Sequence, residues 1–307
     1  MSKQFAFIFP GQGSQAQGMG KEFFENFAWA RESFEEASEA IKIDMRSLLF
    51  DENKLLEETA YTQPAILLVS YVAQRAFKEE KGIEPSLAFG HSLGEFSALL
   101  CVGALTFRDA ISLVHERGKL MQRACQNQEA GMMVVLGLED ESIEIVLDNA
   151  RRIGKQVWAA NFNNQGQIVL AGIKNDLLSL EGVLKEQGAK RSMVLAMSVA
   201  SHCPLLNGIT HEFSQLLEEA IKEPFSAPVV SNATMDLYST KADALKLLTQ
   251  QLISPVLYRQ SIAKVDGLVN GYIEFGHGSV LKGLNKRLSS LPTFTISTPA
   301  DCGAFDL

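Results

Sequence analysis

The sequence predicts an α/β fold in which a parallel-sheet core is interrupted by a small ferredoxin-like domain, and three observations carry that expectation. Strand-like and helix-like segments alternate in both end regions of the chain, the pattern of a parallel sheet with helical crossovers. Residues from about 128 to 197 read instead as β-α-β-β-α-β, the compact ferredoxin-like order. A Gly-x-Ser-x-Gly run at 90–94 stands between a short apolar strand and a helix, where a hydrolase-like core carries its nucleophile. The expected division is a discontinuous hydrolase-like catalytic domain, 1–127 with 198–307, around a small domain at 128–197.

Taken in order, QFAFIF (4–9) is a buried strand, and a glycine-rich turn leads from it into KEFFENFAWARESFEEASEAI, helical throughout. Thr62 and Pro64 announce the next helix, a capping residue and a first-turn proline ahead of AILLVSYVAQRAF. SLAFG (86–90) is a strand, Gly94 to Cys101 a helix, and Thr106 with Asp109 a capping box opening a helix to about Gln126. In the insert, GMMVVLGL, VWAANFN, QIVLAGI and KRSMVLAM are strands, while ESIEIVLDNARR and NDLLSLEGVLKEQ are helices. A helix at 204–221, the strand APVVSN, further helices, the strand YIEF, a helix from Ser279 and a strand near TFTIS complete the core.

The chain has 307 residues, 46% of them apolar, enough for a substantial core without staples. Cys101, Cys125, Cys203 and Cys302 form neither a CxxC pair nor a zinc-spaced cluster, so reduced cytoplasmic thiols and no metal are expected. The opening MSKQFAFIFPGQG lacks the features of a signal peptide, and no segment has the length and apolarity of a membrane span. Acidic residues outnumber basic ones, 36 to 28, for a net charge of −8, which argues against sequence-independent nucleic-acid binding. An acidic partner would need a local basic patch, for which Lys190-Arg191 and Lys286-Arg287 are candidates.

Ser92, flanked by Gly90 and Gly94, is the candidate nucleophile, because the glycines permit a cramped strand-to-helix turn and the helix start supplies N–H groups. Five histidines compete to be its base. His91 is adjacent and should point away; His115 and His211 sit in helical patterns; His277 occupies a glycine turn after a late strand, where a hydrolase-type order puts the base, and spacing alone does not decide. Gly11 to Ala16 nearly fits a dinucleotide-binding GxGxxG/A, but the helical stretch that follows lacks the required second strand ending in an acid. Arg117, on a helix with Arg108, Lys119 and Arg123, reads on its own as a surface charge.

Eight stretches alter several of these readings: FPGQGSQ (9–15), TQPAI (62–66), GHSLGE (90–95), RGKLMQ (117–122), NFNNQGQIVLAG (161–172), SHCPLL (201–206), QLISPV (251–256) and GSVLKGLNKR (278–287). In these, and in their order over almost the whole chain, the sequence resembles the malonyl-CoA:acyl carrier protein transacylase family, the discrete bacterial relatives of synthase acyltransferase domains. The resemblance implies that Ser92 carries the malonyl group and that His202 is the base, oriented by a backbone carbonyl near QLISPV, with Gln251 as its support. The family usually has proline at the position of His277. The resemblance further implies that the backbone N–H groups of Gln12 and Leu93 form an oxyanion hole, and that Arg117 holds the malonyl carboxylate. Gln251 and Asn161 join Arg117 in the substrate-binding set, with Asn163 and Gln167 near the cleft.

The implied activity is ping-pong transfer of malonyl from malonyl-CoA to the phosphopantetheine thiol of acyl carrier protein, for fatty acid biosynthesis. Coenzyme A is then a substrate, no cofactor is needed, and a monomer is expected. An acyl-thioester hydrolase, a polyketide-pathway acyltransferase and a catalytically silent carrier-binding module are the alternatives.

Overall fold

The alternation Phe5-Ala6-Phe7-Ile8-Phe9 sets the centre of the molecule, because period-two side chains bury both faces of one strand. The computed structural model describes residues 3–197 and 199–306, so the expected domain boundary at 198 lies outside the described residues. Its strands are β1 (Phe5–Phe9), β2 (Leu87–Gly90), β3 (Ala130–Leu136), β4 (Val157–Asn164), β5 (Gln167–Ile173), β6 (Arg191–Val194), β7 (Val229–Val230), β8 (Leu237–Tyr238), β9 (Gly271–Phe275) and β10 (Thr293–Ile296). Phe5, Phe7 and Phe9 face a core shared with the helix Thr59–Lys81, where Phe7 meets Phe77 and Phe275 with ring centroids 6.1 and 4.7 Å away. Ala6 and Ile8 face a second core with Phe89, Tyr258 and Tyr272.

The large sheet runs β10-β9-β1-β2-β7-β8 and is parallel except for β8, which pairs antiparallel with β7. A separate antiparallel sheet runs β4-β5-β3-β6 and has its own core around Met133, Ile143, Leu147, Ile168 and Leu184. The protein is therefore a mixed α/β molecule with a parallel-sheet core and a small antiparallel sheet. Val256 stitches the two together, donating to the Ala160 carbonyl at 2.8 Å and accepting from the Phe162 N–H at 2.9 Å. Arg259 adds an ion pair to Asp140 across the same seam.

Several expected elements shift. The stretch from Lys21 is not one helix: extended backbone at Phe27 divides Lys21–Asn26 from Ala28–Ile41. A short helix, Met45–Phe50, intervenes, and the helix expected from Thr62 begins three residues earlier, at Thr59, which leaves Pro64 inside it. Proline removes the N–H that would serve the Ala60 carbonyl, and that carbonyl accepts instead from Nδ1 of His115 at 2.8 Å. His115 is thus a structural substitute donor. Thr106 does cap Phe107–Cys125, accepting from the Asp109 N–H, while the Asp109 carboxylate pairs with Lys222 rather than closing the box. The second helix of the insert splits into Lys174–Leu178 and Glu181–Glu186, and the expected helix at 204–221 opens as a 3₁₀ turn, Pro204–Ile209. β8 and the helix Pro299–Ala304, with its Thr298/Asp301 capping box, were not foreseen.

The junction of β1, β2 and the helix Gly94–Cys101 is packed to backbone contact. A Cβ on Gly94 would stand 2.0 Å from the Phe9 carbonyl oxygen, and one on Gly90 would stand 2.2 Å from the Gly94 carbonyl carbon. Gly94→Ala is therefore expected to destabilise the protein by about 3 kcal/mol, whereas Gly283→Ala, in a helix with open space around it, should be neutral or stabilising. Urea unfolding midpoints of the two variants check this; equal midpoints would refute the packing argument.

Candidate active site

The same glycine packing forces the chain after β2 into a turn so tight that Ser92 adopts a left-handed φ of 53°. Such a conformation costs a non-glycine residue about 1–3 kcal/mol and persists only where its surroundings over-determine it. Asn232, just past β7, supplies that restraint. Its Oδ1 accepts from the Ser92 N–H at 2.6 Å and its Nδ2 donates to the Gly90 carbonyl at 2.7 Å.

The Ser92 Oγ lies 2.7 Å from Nε2 of His202, which is buried and also left-handed, at φ 59°. Nδ1 of His202 is 2.7 Å from the backbone carbonyl of Gln251. A carbonyl can only accept, so Nδ1 carries the proton and Nε2 presents its lone pair to the serine hydroxyl. Burial, and then the Arg117 charge, push the imidazole down to about 3, so it is neutral at ordinary pH. A neutral imidazole held this way can take the hydroxyl proton as oxygen attacks a carbonyl carbon.

Of the other histidines, none bonds Ser92 among the described residues, and His211 does not line its cavity. His91 Nε2 meets Asn163 Oδ1 at 2.7 Å, His115 serves the Ala60 carbonyl, and His277 does not line the Ser92 cavity.

Arg117, expected as surface charge from its helix alone, is 1% exposed. Its guanidinium donates to Gln63 Oε1 at 2.9 Å and Gln251 Oε1 at 3.0 Å, and stands 3.5 Å from Ser92 Oγ. It packs over the Phe96 ring, 5.1 Å from the centroid, and its Nε has no hydrogen-bond partner among the described residues. Burial pulls it down to about 10, which still leaves it charged. Behind it, the Glu95 carboxylate accepts from Gln251 Nε2 at 2.8 Å, the Asn232 N–H at 3.0 Å and the Tyr238 hydroxyl at 2.9 Å. Burial pushes Glu95 up to about 7 against those donors.

These groups meet at a cavity of about 280 Å³ lined by polar Gln12, His91, Asn161, Asn163 and Gln167 and by an apolar wall that includes Met121, Met132 and Val134. Gln12 and Leu93 both line it, and among the described residues no protein group accepts from either backbone N–H. Two amides of this kind can stabilise an oxyanion by about 3 kcal/mol each. A larger open groove, about 1090 Å³, lies beside the other face of Phe107–Cys125 and shares only Met197 with the cavity. Among the described residues no hydrogen bond there pairs a nucleophile with a base, so size does not mark the candidate site here.

Gln251 differs from its expected place in the substrate-binding set. It is fully buried and does not line the cavity; its carbonyl orients His202 and its side chain joins Arg117 to Glu95. Sequence reasoning missed Asn232, Tyr238, Gln63 and Glu95 as parts of the site. Gln63 and Glu95 fall inside TQPAI and GHSLGE, but only the folded packing shows them as buried partners.

A serine activated by a neutral histidine, with open amides and a buried cation beside it, is an acyl-transfer arrangement, and residues 6–291 match the acyl transferase domain family. The malonyl CoA-acyl carrier protein transacylase of Bacillus subtilis is 39% identical over 303 residues, 97% of this chain and 95% of the relative. The malonyl-CoA:acyl carrier protein transacylase of Helicobacter pylori superposes with a TM-score of 0.95 at 50% identity, over 99% of this chain and 97% of that one. A malonyl-transacylase solved in complex with a type II PKS acyl-carrier protein gives 0.94 at 36%, over 98% of each chain. The chain belongs to the malonyl-CoA:acyl carrier protein transacylase family.

Because His202 is depressed from 6.5 to about 3, its basic form persists as pH falls. Labelling of Ser92 by a neutral fluorophosphonate should therefore stay within about twofold between pH 7.5 and 5.5, where an unperturbed histidine would leave about a tenth of its base. Repeating the series in Glu95→Gln, which cannot titrate, isolates the histidine. A tenfold fall in that variant would refute the shift.

Proposed function

We propose that the chain transfers malonyl from malonyl-CoA to the phosphopantetheine thiol of acyl carrier protein, through a malonyl ester on Ser92, and so supplies malonyl carrier protein for fatty acid synthesis. The observation that carries this reading is the buried Arg117 guanidinium 3.5 Å from the nucleophile. Two bonds separate the malonyl carboxylate carbon from its thioester carbonyl, about 2.5 Å, so an acyl carbon at Ser92 keeps the carboxylate within reach of Arg117. Guanidinium suits this partner, being permanently charged and forked. An acetyl group would leave the buried charge unpaired.

In the first half-reaction Ser92 Oγ attacks the thioester carbon while its proton passes to His202 Nε2, and the Gln12 and Leu93 amides hold the oxyanion. The carbon–sulfur bond breaks, and coenzyme A leaves with the proton from His202. In the second, the pantetheine thiol gives its proton to His202 and attacks the ester carbon. Ser92 leaves as the alkoxide and recovers that proton. Asn161, Asn163 and Gln167 supply polar cavity wall for the acyl-thioester. No step calls on a metal or prosthetic group.

We read the large unit, 1–127 with 198–307, as hydrolase-like, and 128–197 as ferredoxin-like, a reading supported by the β4-β5-β3-β6 strand order. Four unpaired thiols fit a reducing cytoplasm. No helix of the described residues is long and apolar enough to cross a membrane. Lys190, Arg191, Lys286 and Arg287, which form no salt bridge among the described residues, offer positive charge to an acidic carrier protein.

Brief exposure to malonyl-CoA should give a malonyl adduct on Ser92 by mass spectrometry that disappears when carrier protein is added. Loss of the adduct to water alone would indicate a hydrolase. His202→Ala should abolish the adduct and His277→Ala should keep most of it; the opposite pattern would overturn the assignment of the base.

Arg117→Ala should lower kcat/KM for malonyl-CoA about hundredfold, the scale of truncating one partner of a buried charge pair, and narrow the preference over acetyl-CoA. Intact malonyl transfer in that variant would remove the anchor role.

A further inference from the structure

Glu95 stands three residues after the nucleophile, fully buried on the helix Gly94–Cys101, and no step above uses it. A carboxylate in such a place is costly unless its lone pairs are satisfied. Here three donors converge on it: Gln251 Nε2, the Asn232 N–H and the Tyr238 hydroxyl. The seat is built for an acceptor.

The consequence falls on Gln251. A carboxamide has one donor end and one acceptor end. With Nε2 held by Glu95 at 2.8 Å and by the Ser92 carbonyl at 3.0 Å, Oε1 must face Arg117, which it meets at 3.0 Å. The reversed amide would set donors against the guanidinium and an oxygen against two acceptors. With Gln63 and Gln251 holding its terminal nitrogens, Arg117 keeps a buried Nε with no partner among the described residues.

We propose that Glu95 is a positioning residue that fixes the Gln251 amide and thereby aims Arg117 at the carboxylate of the acyl group. The inference rests on the anchor role proposed for Arg117. Glu95→Gln keeps the essential pattern, because its carboxamide oxygen can accept from Gln251 and Asn232 while the Tyr238 hydroxyl turns to accept from its NH₂. Glu95→Ala removes the acceptor, and Gln251→Leu removes the link while leaving the backbone carbonyl on His202.

The readout is the ratio of kcat/KM for malonyl-CoA to that for acetyl-CoA. Glu95→Ala and Gln251→Leu should each lower it by about tenfold or more, with Glu95→Gln within about threefold of the native ratio. Equal losses for both substrates would indicate general damage to the elbow and overturn the inference, as would a Glu95→Gln variant no better than Glu95→Ala. Should Glu95→Ala fail to fold by circular dichroism, Gln251→Leu decides alone. Selectivity lost in Arg117→Ala but kept in Gln251→Leu refutes only the role of Glu95; selectivity kept in Arg117→Ala refutes the anchor itself.

Discussion

Gln251 is the buried residue through which the site holds together. Its backbone carbonyl sets the tautomer of His202, its Oε1 meets Arg117, and its Nε2 reaches both the Ser92 carbonyl and Glu95. Base, cation, elbow and buried carboxylate are thus referred to one residue at the end of the helix Lys241–Gln251. Each contact matches a donor to an acceptor, and inside a low-dielectric interior a mismatch would be heavily penalised. The carbonyl does the orienting that a triad carboxylate does elsewhere, without placing a second negative charge beside the histidine.

Strain is concentrated where the chemistry is. Among the described residues only Lys42, Ser92, His202 and Met235 are non-glycine with positive φ. Lys42 closes a helix, a place where left-handed backbone is routine. Ser92 and His202 are the proposed nucleophile and base, and their strained backbones bring Oγ to 2.7 Å from Nε2. On one side the restraint is steric, from Gly11, Gly90 and Gly94 packed against carbonyls. On the other it is polar, from Asn232 and Gln251.

Much of this was legible in the sequence, for physical reasons that differ by element. The QFAFIF strand, the SLAFG strand and the four strands of the insert announce themselves by period and by turn residues, and the glycines of GHSLG declare a close approach that only glycine permits. The proline of TQPAI reads locally as a first-turn residue, yet the helix starts at Thr59 and holds it deeper, since His115, 55 positions from Ala60, supplies the donor the proline removes. Arg117 shows the same limit more sharply. Its helix suggests a surface charge, and family resemblance alone pointed inward. Asn232 and Tyr238 carried no local signal, because their roles depend on β7 lying beside β2 and β8 beside β7, which brings together residues about 140 positions apart.

The electrostatics of the site point toward a substrate that brings its own negative charge. His202 is a weak base there through burial first and the Arg117 charge second, with a smaller push from His91. A weak base is a poor acceptor for the serine proton, so an uncharged acyl donor would meet a reluctant catalyst. On the proposed reading the malonyl carboxylate pairs with Arg117 and cancels the second of those causes, raising the basicity of His202 at the moment the thioester is in place. Glu95 does this only in part: its charge acts on Arg117, but it makes no hydrogen bond to it, its lone pairs being turned to Gln251, Asn232 and Tyr238. Arg117 would then favour malonyl in two separable ways, by holding the carboxylate and by releasing the base once it is held, so that part of the selectivity appears in the chemical step and part in binding.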